Sequence, residues 1–121
     1  MLRGRTICGH LNLAGWTSEE DSFEVDQTRI SEVTMPASVV GLTISNSELR
    51  KINGGEDLQM NAGEVLDLSG NELSAEELDA FFERLPAQTL QGCNLRVTDN
   101  PGSETCNPLI AETKGFTVYV V

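Results

Sequence analysis

Residues 65–87 read VLDLSGNELSAEELDAFFERLPA. Leu66 and Leu68 alternate as in a strand with one buried face. Asn71 follows three residues after Leu68, and Leu73 two residues later. Ser74 with Glu77 three positions on forms a capping box. Leu78, Phe81, Phe82 and Leu85 then fall at i, i+3, i+4 and i+7, one apolar helical face, and Pro86 ends the helix at Leu85. The stretch therefore predicts a strand, a tight turn and a helix. Such a unit cannot bury both of its faces alone, so similar units are expected beside it.

The spacing apolar-x-apolar-x-x-(Asn or hydroxyl)-x-apolar recurs along the chain. FEVDQTRI supplies Phe23, Val25, Thr28 and Ile30. LTISNSEL supplies Leu42, Ile44, Ser47 and Leu49. LRVTDNPG supplies Leu95, Val97 and Asn100, with Gly102 where the last apolar residue belongs. FTVYVV supplies Phe116 and Val118. The first positions lie 19, 24, 29 and 21 residues apart, a spacing that marks stacked units. The alternating apolar residues are expected to point inward from short parallel strands. Asn71 and its counterparts are expected to satisfy backbone groups where the chain leaves the strand. Asparagine both donates and accepts, so Thr28 and Ser47 should make a looser version of the same bend.

Between the strands only the unit at 65–87 has a full helical pattern. SEVTMPASVVG and RKINGGEDLQMNAGE, with Pro36 and the Gly54-Gly55 pair, predict extended segments and turns. CNPLIAETKGF predicts a two-turn helix over about 108–114, with Asn107 as N-cap, Pro108 in its first turn, Gly115 as its stop, and Leu109 and Ile110 buried. Before residue 22 the spacing fails. LNLAGW reads as a strand, Thr17 with Glu20 as a cap for one helical turn, and Trp16 as a cover for the end of the core.

The 121 residues suffice for one domain with a limited core. Aromatic content is only 5%, so that core must rely on regular aliphatic packing. The net charge of −11 repels nucleic acid and anionic membrane surfaces at long range. No apolar run approaches the roughly 20 residues needed to cross a bilayer. The opening MLRGRTICGHLNLAGW is broken by Gly9, His10 and Asn12 and makes a poor secretory segment, which favours a cytoplasmic or virion protein over a secreted one. Cys8, Cys93 and Cys106 are odd in number and define no disulfide framework; buried thiols are the expected role, with Cys93 and Cys106 near enough in the repeat to meet.

LDLSGNELSAEELDAFFERLP followed by LRVTDNPGSETCNPLIAETKGFTV resembles the C-terminal portion of leucine-rich repeat proteins of gut Bacteroides-type bacteria and their phages. In that group a last helix-bearing repeat leads to a closing motif, matched here by Asn100, Pro101 and Gly102, then Thr105 and Cys106, then Ile110 and Ala111, then Lys114, Gly115, Phe116, Thr117 and Val118. The resemblance covers residues 64–120 well and 22–52 through the spacing. It implies an α/β fold: a short leucine-rich-repeat solenoid with a parallel β-sheet, one full convex-side helix, and terminal caps. Residues 1–21 would be the N-terminal cap, 22–103 the repeats and 104–121 the C-terminal cap of a single domain. Relatives of this kind use their repeats for adhesion or partner binding. With so few repeats and no leader, the alternative is a structural or accessory component of a larger assembly such as a phage virion.

Catalytic readings find little support in the residues. Cys8 and His10 begin no completed metal site, because Cys93 and Cys106 lie at the far end of the stack. Asp67, Ser69 and Asn71 alternate as in a calcium loop, but Glu72 and Leu78 stand where glycine and glutamate are needed. Glu24 and Asp67 would form a carboxylate pair only on an open surface, without the enclosure that raises a proton donor's pKa. No enzyme activity, metal or cofactor is expected. Binding of a protein partner is, through the outward-facing residues Glu24, Asp26, Thr43, Ser45, Asp67, Ser69, Arg96, Thr98 and Tyr119, with Thr117 beside them. Arg and Tyr are frequent interface anchors. The terminal strand edges also offer a route to homo-oligomers.

Overall fold

The computed structural model describes residues 2–15, 23–36, 38–88 and 93–120. The expectations for Trp16, Thr17 and Glu20 lie outside these residues. Among the described residues, nine strands and two helices follow in the order β1 (Leu2–Arg3), β2 (Cys8–Asn12), β3 (Phe23–Asp26), β4 (Arg29–Thr34), β5 (Ser38–Ser45), β6 (Lys51–Asn53), β7 (Gln59–Asp67), α1 (Ala75–Arg84), β8 (Cys93–Arg96), α2 (Leu109–Glu112) and β9 (Phe116–Tyr119). The fold is α/β with parallel sheets. A six-stranded sheet runs β1-β3-β5-β7-β8-β9 and a three-stranded sheet β2-β4-β6, and the pairs in both are parallel.

The alternation seen in the sequence is the packing pattern. Phe23, Leu42, Leu66, Leu95 and Val118 are consecutive register partners across the long sheet. Val25, Leu42, Ile44, Leu66, Leu68, Leu95 and Val97 have no exposed surface, and neither do Phe81 and Phe82 of α1. Ile30, Val33 and Ile52 of the short sheet join the same cluster. SEVTMPASVVG and RKINGGEDLQMNAGE are largely extended, as expected from their lack of helical period, and contribute to β4, β5, β6 and β7. Residues 2–12, where the spacing failed, add one short strand to each sheet.

Two expectations are corrected in the last unit. Phe116 pairs with Cys93, and it is Val118 that lies beside Leu95. Cys93 is a buried inward residue one pleat earlier than the repeat pattern, and a two-residue slip leaves the alternation unchanged, so periodicity alone cannot detect it. The second helix covers only Leu109–Glu112, begins after Pro108 without a side-chain cap, and buries Ala111; Leu109 is 62% exposed. The helix stops at Glu112 with Thr113 as its cap, short of the expected stop at Gly115, whose φ is 99°.

The bends out of the long sheet repeat one conformation. Gln27, Asn46, Gly70 and Asp99 have φ of 54°, 49°, 69° and 56°, and each precedes a buried polar residue, respectively Thr28, Ser47, Asn71 and Asn100. Left-handed backbone turns the chain sharply and strands its polar groups in the interior. The buried side chains satisfy them. Asn71 Oδ1 accepts from the amides of Ser47 and Leu49, at 3.2 and 3.3 Å. Its Nδ2 donates to the carbonyls of Ile44, Leu68 and Ser69. Asn100 repeats this one unit on, accepting from Leu73 N and donating to Leu68, Val97 and Thr98. Ser47 Oγ accepts from the Thr28 amide and hydroxyl, with fewer bonds than either asparagine makes. Ser103 closes the series with Oγ accepting from Asn100 N and donating to Val97 O.

Helix α1 stands where a fourth strand of the short sheet would lie. Ser74 Oγ caps it by accepting from Glu77 N. The Glu77 carboxylate does not return to Ser74, as a capping box would have it, but accepts from the amide of Ile52 at 2.8 Å. Arg84 donates to the carbonyls of Ile52 and Gly54. Two helical side chains thus satisfy the open edge of β6. On the other side Lys114 Nζ donates to the carbonyls of Phe82 and Glu83 at the helix end, where no intrahelical partner exists.

Gly102 also finds its reason here. A Cβ on it would collide with the backbone at Ala75 N and the Ser74 carbonyl carbon, so the start of α1 occupies the space an apolar side chain would need. Gly102→Ala is expected to lower unfolding free energy by at least about 1–3 kcal/mol through overpacking. Asn71→Ala should cost about 1–3 kcal/mol by leaving buried backbone groups without partners. Urea denaturation of the two variants checks both.

Candidate functional site: the open face of the long sheet

Alternation places every second side chain of the long sheet outside. Glu24, Thr43, Asp67, Arg96 and Tyr119 are register partners in one row across β3, β5, β7, β8 and β9. At the usual strand spacing of about 4.8 Å, the row spans roughly 19 Å. Asp26 and Ser45 pair in a second row. Backbone bonds from Asn46 N to Ser69 O and from Gly70 N to Thr98 O carry that row past the strand ends. The nine outward residues expected from the sequence therefore lie in two adjacent rows.

Their states differ. Glu24 and Arg96 are exposed, and Tyr119 is 41% exposed; Asp26, Thr43, Ser45, Asp67, Ser69 and Thr98 are half-buried. Asp26 accepts from Arg3 Nη2 at 2.8 Å, Asn46 Nδ2 at 3.0 Å and Ser45 Oγ at 3.2 Å. The Asn46 hydrogen bond, then the Arg3 bond and charge with the Ser45 bond, hold its carboxyl below the ordinary aspartate value of 3.8. One of the acids on the face is thus locally neutralised. Asp67 Oδ1 accepts from the Ser69 amide at 2.9 Å, which shapes the bend after β7. Glu24 and Asp67 are separated by Thr43 in their row, so their strands lie about 9–10 Å apart on a surface without walls.

The other end of the row is built differently. The Arg96 guanidinium lies 5.7 Å from the centre of the Tyr119 ring, a cation–π arrangement that holds two long side chains in one orientation. Tyr119 Oη donates to Asn94 Oδ1 at 3.4 Å. Asn94 lies between Val65 and Thr117 in the neighbouring row, and Val65 is 40% exposed. Arg96, Tyr119, Asn94, Val65 and Thr117 thus form one patch that is partly aromatic and partly polar. Sequence reasoning passed over Asn94 and Val65. The signal was present, because β8 begins inward at Cys93 and so sends Asn94 outward.

Clefts of about 230 and 440 Å³ lie off this face, the first beside Met35, Pro36 and Gly55 and the second beside Asp99, Asn100 and Glu104. Among the described residues no three His, Cys, Asp or Glu side chains converge as metal ligands. Cys8, Cys93 and Cys106 are all thiols, the first exposed and the others buried. Burial, then the charges of Glu64 and Asp79 respectively, pushes the Cys93 and Cys106 thiols up. Both stay protonated at neutral pH and are poor nucleophiles. Among the described residues no helix is long and apolar enough to cross a membrane.

A carboxyl whose folded pKa is depressed stabilises the fold above its unfolded pKa, and that contribution is lost as pH falls through the folded value. Stability should therefore drop more steeply below about pH 4 in the wild type than in Asp26→Asn, as acid titration of the melting midpoint would show. No family model matches the chain, and neither a curated protein nor a solved structure matches it.

Proposed function

We propose that the chain is a short leucine-rich-repeat solenoid that binds a protein partner, without catalysis, through the open face of its long sheet. The observation that carries this reading is the unbroken row Glu24–Thr43–Asp67–Arg96–Tyr119 in parallel register. Parallel strands in chain order, a buried polar residue at each bend and a helix beyond β7 are the features that favour the repeat assignment. A flat, wall-less array of mixed polar side chains suits a macromolecular surface better than a small substrate, which is normally enclosed. Within the row, Arg96 and Tyr119 are the anchors. Their mutual stacking fixes rotamers before a partner arrives, which reduces the ordering cost of binding.

A second reading, a structural component of a larger assembly, draws on the position of β9 at the end of the long sheet. Its strand edge suits subunit contacts. Copurification with particles rather than with a single soluble partner would favour it.

The test uses the wild type, Arg96→Ala and Tyr119→Ala as baits, with Glu76→Lys on the exposed helical surface as control. A partner retained by wild type and control should bind each sheet variant about 10-fold or more weakly, the loss typical of an anchor residue. Equal retention by all four baits contradicts use of this face.

A further inference from the structure

We propose that Asn53 is a site of spontaneous deamidation, where the backbone amide of Gly54 converts the side chain to aspartate or isoaspartate and so loosens the short sheet. The site is independent of what the open face binds. Asn53 closes β6 and is followed by Gly54 and Gly55, with φ of 79° and 100°. Deamidation is a covalent change that asparagine undergoes without an enzyme. It starts when the amide nitrogen of the next residue attacks the asparagine Cγ. The Gly54 N–Cγ bond forms, the Cγ–Nδ2 bond breaks, and ammonia leaves carrying the proton lost from Gly54. Water then opens the five-membered imide at either carbonyl. One opening gives aspartate; the other moves the side-chain methylene into the main chain and gives isoaspartate. Water is the only other reactant, and nothing is oxidised or reduced.

The reaction requires a following amide that is unbonded, unhindered and reached by water. Position 53 meets all three conditions. Among the described residues the Gly54 amide has no hydrogen-bond acceptor. Glycine carries no side chain to obstruct the attack. Gly54 also lines the cleft of about 230 Å³ beside Met35 and Pro36. The other asparagines fail. The amides that follow Asn12, Asn46 and Asn71 donate to Thr34 O, Asn71 Oδ1 and Leu49 O respectively. Asn100 and Asn107 precede prolines, whose nitrogen has no proton to lose. Asn61 and Asn94 stand inside the strands β7 and β8 and are followed by residues larger than glycine.

The contacts around Asn53 give the modification its effect. Asn53 Nδ2 donates to Glu32 Oε2 at 2.5 Å across the β4–β6 pair. That bond restrains the carboxamide, so ring closure waits on its breaking and the change is slow. Aspartate puts a carboxylate where the donor was, and like charges at that range repel. Isoaspartate also lengthens the main chain between Ile52 O and Gly54 O, the two carbonyls that Arg84 holds. The grip of α1 on the edge of β6 weakens with it.

The test is peptide mapping by mass spectrometry of the folded 121-residue chain, sampled over weeks in mildly alkaline buffer at physiological temperature. The peptide holding Asn53 should show the mass change of an amide exchanged for an acid before any other asparagine does. Part of the product should be isoaspartate, and the rate should rise with pH. Asn53→Asp, which installs one product directly, should lower the melting midpoint by about 3–6 °C. Adding Glu32→Gln should restore it, because the glutamine amide then donates to the new carboxylate. An Asn53 peptide that stays intact, earlier change at another asparagine, or Asn53→Asp melting like the wild type would each overturn the proposal. So would a double variant that melts no higher than Asn53→Asp alone.

Discussion

Four strands of the long sheet, β3, β5, β7 and β8, run into a left-handed bend, and a bend of that kind leaves amides and carbonyls inside the protein with no strand to pair with. The fold depends on how they are satisfied. Asn71 makes five hydrogen bonds to backbone groups, two as acceptor and three as donor, and they reach both its own unit and the preceding one. No side chain restricted to donating or accepting does the same from one position. The asparagine is therefore a spacer as well as a partner, because its bonds form only when neighbouring bends sit one strand spacing apart. The register of the open face, and with it the row from Glu24 to Tyr119, follows from that constraint.

The same requirement governs the side of the molecule opposite that face. The short sheet ends at β6, and its unpaired edge meets Glu77 and Arg84 of α1 instead of another strand. Gln88 does similar work beyond the helix, accepting from Met60 N and donating to the carbonyls of Leu58 and Pro86. Lys114 caps the carbonyl end of α1 from the following unit. Strand gives way to helix without leaving polar side-chain atoms stranded: among the described residues, no buried side-chain nitrogen or oxygen lacks a hydrogen-bond partner.

Much of this was legible in the sequence because it has a period. Alternating apolar residues identified the long sheet, and the Asn-or-hydroxyl position identified the buried polar series, down to the thinner bonding at Thr28 and Ser47. The helical face of Leu78, Phe81, Phe82 and Leu85 was equally plain. What escaped lacked local periodicity. Glu77 was assigned to a local cap by its distance from Ser74, and nothing within the helix indicates that its carboxylate serves Ile52, 25 residues away. β1 was missed because it has only two residues, too few to alternate, and the strand expected in LNLAGW coincides with β2 only at Leu11 and Asn12. The register of β9 was off by two because the alternation is the same either way. On the face, the outward residues were recoverable one by one, but the stacking of Arg96 on Tyr119 and the addition of Asn94 depend on pairing between β8 and β9 that only the assembled sheet provides.

Native-state hydrogen exchange tests the central claim most directly. The amides of Ser47, Leu49 and Leu73 lie outside the strands and have side-chain oxygens of Asn71 and Asn100 as acceptors. They should exchange as slowly as the core amides of Leu66 and Leu95, opening only with global unfolding. If these three amides instead exchange at the rate of an exposed turn position such as Asp57 while the core stays protected, buried asparagines do not hold the bends together, and the account of this fold is wrong.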